Sequence, residues 1–160
     1  MIFGSGRSRH RRASLALACT IALSLAACTL KNDAAADQSI PPPPDVAAPP
    51  KDAHITASGL ASKILRVGFS DVHPSVRSKV TVLYTGWTTD GKMFETTEGK
   101  GPAGPFPIET GVIAGWREGL QLMVVGEKRR FWIPPQLAYN NEPGHPQGTL
   151  VFDVELLEVR

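Results

Sequence analysis

At 160 residues the chain has room for one ordinary folded domain. Its 17 basic and 15 acidic residues leave a formal charge of +2, which is no argument for a nucleic-acid surface. Both cysteines, Cys19 and Cys28, lie near the N-terminus. The remainder therefore has no disulfide, thiolate nucleophile or cysteine-held metal available to it.

Met1 to Arg12 carries Arg7, Arg9, Arg11 and Arg12 with no acid, and Ala13 to Ala27 is almost wholly apolar. This is the order of a secretory signal peptide, with an apolar run too short to span a bilayer comfortably. It ends Leu25-Ala26-Ala27-Cys28, which resembles the lipobox that bacterial lipoprotein signal peptidase cuts just before cysteine; Cys19 fits that pattern less well. The resemblance implies removal of residues 1–27 and lipidation of Cys28 by a diacylglyceryl thioether, usually with a third, amide-linked chain. The protein would then be lipid-anchored in the bacterial cell envelope, and Thr29 favours the outer membrane and periplasm over the inner membrane. An ordinary secreted protein with an incidental Cys28, or an uncleaved anchor, is the alternative. The 17 basic residues less the four arginines ahead of Cys28 leave 13 against 15 acids, a net charge of −2 after such a cut.

Residues 28–53 are rich in Ala, Asp and Pro, including Pro41-Pro42-Pro43-Pro44 and Pro49-Pro50. That composition cannot bury a core of its own and predicts a disordered, extended tether. From residue 54 to residue 160 the composition becomes globular. Gly59 to Val67 predicts a strand. Val80 to Trp87 predicts another, turning at Asp90-Gly91 and returning through Lys92 to Glu95 as a hairpin. Gly115 to Met123 predicts the one helix, with Trp116, Leu120 and Met123 on one face. Arg129 to Ile133 and Thr149 to Val159 predict further strands. In the last, Leu150, Phe152, Val154 and Leu156 form a buried face, and Val151, Asp153, Glu155 and Leu157 a largely wet one. The expected fold class is α+β, an antiparallel twisted sheet around one short helix.

The usual catalytic devices are missing. His54, His73 and His145 have no partners at metal-ligand spacing, so neither a metal nor a cofactor is expected. There is no nucleophile elbow and no phosphate-cradling glycine loop. What recurs at turn and strand ends is aromatic: Tyr84, Phe94, Phe106, Trp116, Tyr139 and Phe152.

Four motifs carry a family resemblance across Gly59 to Arg160. They are Val82-Leu83-Tyr84-Thr85-Gly86-Trp87 with Asp90-Gly91-Lys92-Met93-Phe94; Val112-Ile113-Ala114-Gly115-Trp116-Arg117-Glu118-Gly119-Leu120; Gly126-Glu127-Lys128-Arg129-Arg130 with Pro134 and Leu137-Ala138-Tyr139; and Leu150 to Leu156. Together they resemble the FKBP-type prolyl isomerases. The resemblance implies that Trp116 floors a pocket for a proline ring, with Tyr84, Phe94, Val112, Ile113 and Phe152 as walls and Phe106 and Ile108 at the edge. It also implies that the Tyr139 hydroxyl and the Ile113 N–H donate to substrate carbonyls. Implied partners are proline-containing polypeptides and macrolide immunosuppressants, besides the membrane reached through the lipid anchor.

Three departures qualify the match. Glu95 stands where the family most often has aspartate. Asn140 follows Tyr139 where glycine is common. The stretch from Tyr139 to Thr149 is shorter than the usual flap, and the resemblance matches His145 to a substrate-binding histidine of that flap. These departures make an FKBP-fold binding module or chaperone with little turnover the alternative to an active isomerase.

Overall fold

The structure, a computed structural model, describes residues 39–160. The expected signal segment, Cys28 and the first part of the expected tether lie outside the described residues. Two short pieces, β1 (His54–Ile55) and β2 (Ala61–Arg66), open the sheet, followed by β3 (Lys79–Thr88), β4 (Met93–Thr96) and β5 (Ala103–Pro107). Helix α1 (Ala114–Gln121), β6 (Lys128–Ile133), a 3-10 turn at Pro135–Leu137 and β7 (Leu150–Val159) complete the chain. The strands pair antiparallel in the order β1-β2-β6-β7-β3-β4, with β5 beside the start of β3. The α+β expectation and the predicted hairpin, helix and long closing strand are all present. β1 and β5 are not legible in the sequence. β5 reads Ala-Gly-Pro-Phe-Pro, a composition a strand tolerates only at an edge, where a missing N–H costs no ladder bond.

Strands β3 and β7 form the sheet's spine, running side by side from Val80↔Val159 to Thr88↔Leu150. One sheet face carries Val80, Val82, Phe131, Ile133, Leu150, Phe152, Val154 and Leu156, all buried in a single cluster with Trp116, Leu120, Met123, Leu60 and Ile108. The helix lies flat on this face because two glycines point at it. A Cβ on Gly115 would stand 2.4 Å from Ile133 Cγ2, and one on Gly119 2.6 Å from Phe131 Cε1. The helix ends at Gln121, two residues short of the expected Met123, and its next residue, Leu122, caps it by donating to Gly119 O.

The other face corrects two expectations. Val151, expected on a wet face, is fully buried and clusters with Ala61 and Trp132 beneath Val46 and Ala53. The reading of residues 28–53 as a disordered tether therefore fails for the part the structure describes. Residues 40–53 lie against the sheet, with turns closed by Val46 N donating to Pro43 O and Ala53 N to Pro50 O. The physical reason is that this segment needs no core of its own, since two tryptophans on the sheet supply one. Its prolines also hold φ near its bound value, so less chain entropy is lost on docking.

Arg130 is held at the seam between sheet and segment. It forms a fork to Asp153 at 2.5 and 2.8 Å and also pairs with Asp45. Another ion pair, Arg129 to Glu127 at 2.5 Å, is buried at the start of β6. Among the described residues no helix is long and apolar enough to cross a membrane.

Gly119→Ala tests the flat docking of α1. Alanine gains roughly 1 kcal/mol over glycine in a helix interior. Here overpacking against the immobile Phe131 ring costs about 1–3 kcal/mol. The expected result is a lower urea midpoint, and a raised midpoint would contradict the close contact.

Candidate active site

Six segments converge on a cleft of about 390 Å³ at one end of α1, lined by Tyr84, Glu95, Phe106, Thr110, Gly111, Val112, Ile113, Trp116, Tyr139 and Phe152. Tyr84 comes from β3 and Phe152 from its neighbour β7, where Gly86 pairs with Phe152 and Tyr84 with Val154. Trp116 rises from the first turn of α1, and Tyr139 follows the 3-10 turn, whose exit is fixed by Asn140 N donating to Pro135 O at 2.8 Å.

The hairpin supplies its side chains through a bulge. Gly86 pairs with Glu95 and Trp87 with Met93, so Phe94 is the extra residue between them. Strict alternation would send Phe94 and Glu95 to opposite faces. The bulge turns both towards α1. Gly86 is what admits the Phe94 ring, for a Cβ there would lie 2.7 Å from Phe94 Cζ and 2.8 Å from Phe152 Cε1.

The rings meet edge to face. Tyr84 and Trp116 stand 5.0 Å apart at 89°, Trp116 and Phe152 5.4 Å at 83°, and Phe94 and Phe152 5.4 Å at 88°. These are the favoured geometries for aromatic quadrupoles, each worth about 0.5–1.5 kcal/mol beyond area burial. Trp116 is 94% removed from solvent, and its Nε1 is a buried donor without an acceptor among the described residues. Leaving such a group unpaired costs roughly 1–3 kcal/mol, which a phenylalanine in the same place would avoid.

Polar groups sit at the rim. Burial, and then the Glu95 carboxylate at its hydroxyl, push the Tyr84 phenol well above its ordinary value. Burial, and then the charge of Glu95, also raise Tyr139. Both phenols therefore remain neutral donors across the physiological range. Ile113 precedes α1 with extended backbone and no side-chain cap. The N–H groups from Ile113 to Trp116 have no carbonyl one turn back to receive them. Nothing lining the cleft is a nucleophile held by a base, and Glu95 is its one carboxylate.

Of the residues singled out in the sequence, Tyr84, Glu95, Trp116, Tyr139, Phe152, Phe106, Val112 and Ile113 are brought together at the cleft. Phe94 is not in the lining; it stands behind Phe152 and props it. Ile108 is a correction. It was expected at the pocket edge but is fully buried in the core, because Ile108 N donates to Ser78 O at 3.0 Å and draws the side chain under β3. His145 is not in the lining either. Its ring stacks on Tyr139 at 4.4 Å and 10°. The turn that carries it is tied internally by Gln147 Nε2 donating to Glu142 O and His145 O, and by Gly148 N donating to Asn141 Oδ1. Asn140 has φ of 49° and Asn141 of 59°, so the site where the family favours glycine does require left-handed backbone, which asparagine tolerates. Thr110 and Gly111 line the cleft and were missed. Their one sequence signal is adjacency to Val112-Ile113.

The model of the FKBP-type peptidyl-prolyl cis-trans isomerases matches residues 70–157. The FKBP-type peptidyl-prolyl cis-trans isomerase FkpA of Aeromonas hydrophila is 41% identical over 110 residues, covering 65% of this chain and 39% of that one. The outer membrane protein MIP of Legionella longbeachae is 37% identical over 110 residues, 66% of this chain and 46% of that one. The crystal structure of FkpA from Escherichia coli matches with a TM-score of 0.63 and 39% identity, covering 69% of this chain and 53% of that one. The chain spans about half or less of the length of these relatives. With the matched segment containing the hairpin, the helix and most of the aromatic cleft, the chain belongs to the FKBP-type peptidyl-prolyl cis-trans isomerase family.

Proposed function

We propose that this domain catalyses rotation about X–Pro peptide bonds in polypeptides folding in the bacterial cell envelope. The observation that carries the reading is the convergence of Tyr84, Trp116, Tyr139 and Phe152 on one open cleft that lacks a paired nucleophile and base. Rotation breaks no covalent bond. The barrier of roughly 18–20 kcal/mol is the loss of amide conjugation, and it makes the uncatalysed step take tens to hundreds of seconds. A catalyst has only to hold the twisted amide more tightly than the planar one. Twisting withdraws charge from the carbonyl oxygen, so the twisted amide loses less on leaving water for an aromatic cleft. Each 1.4 kcal/mol of such preference is worth about tenfold in rate.

In this reading the proline ring rests on Trp116 between Tyr84, Val112 and Phe152. The unpaired N–H at Ile113 and the neutral Tyr139 hydroxyl donate to carbonyls on either side of the bond. Phe94 supports Phe152, Glu95 holds the Tyr84 hydroxyl, and the stacked His145 fixes the plane of the Tyr139 ring. Macrolide immunosuppressants would compete for the same cleft, with the short 139–149 turn offering them little cover. A protease-coupled assay on a short peptide with leucine or phenylalanine before proline tests the activity. A rate equal to the buffer blank, with the peptide still shifting tryptophan fluorescence, would leave only a binding module.

The membrane attachment is proposed on the Leu25-Ala26-Ala27-Cys28 pattern, with the name of the Legionella relative as support. Several acyl chains on one cysteine would hold the protein stably where one would not. Cys28→Ser is expected to move the protein from the detergent phase to the aqueous phase on partitioning. Retention in the detergent phase would remove the lipid anchor.

Phe94→Ala should lower kcat/KM more than Glu95→Asp, because it removes the ring that props Phe152. Tyr139→Phe removes one hydrogen bond of about 0.5–1.5 kcal/mol, a two- to tenfold fall in kcat/KM by roughly 1.4 kcal/mol per decade. Equal activity in all three variants would contradict the assignments.

Both tyrosines are raised above the ordinary 10.0. Their neutral forms are therefore favoured by folding, a contribution fully present below about pH 10 and lost as pH rises above it. Chemical denaturation at stepped pH should show no tyrosine-linked loss of stability up to about pH 10 and a decline beyond, smaller in Tyr84→Phe. An equal decline in that variant would refute the linkage.

A further inference from the structure

Residues 40–53 cover the sheet face opposite α1, and the first of them, Ile40 and Pro42, reach the hairpin that carries Phe94 and Glu95. Ile40 alone bridges both of its strands. Its N–H lies 3.3 Å from Met93 Sδ on β4, and its carbonyl accepts from Trp87 Nε1 on β3 at 3.0 Å. Trp87 and Met93 are the pair that flanks the bulge. Pro42 packs over the turn, where a Cβ on Gly91 would lie 3.0 Å from Pro42 Cγ. The segment is fastened again further on. Trp132 Nε1 donates to Asp45 O at 3.0 Å, and the Asp45 carboxylate pairs with Arg130, which Asp153 holds from its other side.

The hairpin needs such a fastening. β4 is a four-residue edge strand with three register pairs and a bulge among them. Short edge elements of this kind open at the lowest free energies in a fold. Its inner side chains help form the cleft, whereas on the outer side Met93 meets the backbone of Ile40. Trp87 is 97% removed from solvent, and a buried indole N–H requires an acceptor. Ile40 O is that acceptor.

We infer that Ile40–Asp45 is a positioning strap for the isomerase cleft, setting the place of Phe94 and Glu95 through Trp87 and Met93 without touching substrate. The inference rests on the isomerase reading for its kinetic consequence, while its structural half stands apart from it.

The test uses the full chain. Trp87→Phe removes the donor to Ile40 and keeps an apolar ring, and Asp45→Arg sets like charge against Arg130, with Asp45→Glu as the conservative rescue. Amide hydrogen exchange is read at Met93–Thr97 and, as an internal standard, at Phe131 and Phe152. Both disruptive variants are expected to exchange about tenfold faster at the hairpin with the standard unchanged. They are also expected to lose about three- to tenfold in kcat/KM, since small misplacement of contacting groups weakens transition-state fit. Asp45→Glu should restore both. Faster hairpin exchange with kcat/KM unchanged would overturn the positioning role, and so would unchanged exchange in both variants. Should Asp45→Arg fail to fold, Trp87→Phe decides alone by the same two readouts. A wild-type chain that binds a proline peptide without turning it over would sink the isomerase reading, and the strap would then be judged by hairpin exchange together with that peptide's affinity.

Discussion

Trp116 meets Tyr84 and Phe152 edge to face, and the three rings are both the end of the hydrophobic core and the wall of the cleft. This double duty constrains everything around them. The rings can stay partly open to a ligand only because the other side of each is packed against fully buried residues such as Leu120, Phe131 and Val154. A close-packed interior of this kind transmits small displacements rather than absorbing them. Position in the cleft therefore depends on the elements packed behind the rings as well as on the rings themselves.

Three such elements can be named. The glycine pair on α1 fixes the height of Trp116 above the sheet, since any side chain at Gly115 or Gly119 would lift the helix off Ile133 and Phe131. The bulge in β4 directs two consecutive residues to one face, and Gly86 leaves the space the displaced ring requires. The segment before residue 54 closes the opposite face over Trp87 and Trp132. The sheet is thus a three-layer arrangement, with helix on one side and a proline-rich strap on the other. The strap also meets, at Trp87 and Met93, the hairpin that brings Glu95 beside Tyr84 and Tyr139.

Electrostatically the cleft offers hydrogen-bond donors at its rim. Burial and Glu95 keep both phenols neutral, so they serve as donors rather than acids. An amide rotation asks for no more, because its transition state differs from its ground state in polarity and shape and not in protonation. Among the described residues no group of histidines or acids is placed to hold a metal ion, and the cleft lining contains no nucleophile paired with a base.

The residues alone determined the fold class, the hairpin, the helix and most of the cleft wall. Period-two and period-3.6 apolar patterns are local properties, and the aromatic motifs sit at fixed positions within them. Which side of the wall each residue occupies was decided only by tertiary contacts. Ile108 went to the core because Ser78, thirty positions earlier, captures its amide. Phe94 moved behind Phe152 because a bulge reset the alternation, and Thr110 entered the lining on a turn with no pattern of its own. The clearest case is Ile40 to Ala53. Its composition correctly says that it cannot build a core, but it is silent about a core being offered to it by Trp87, Trp132 and Val151, whose exposure or burial depends on partners far away in the chain.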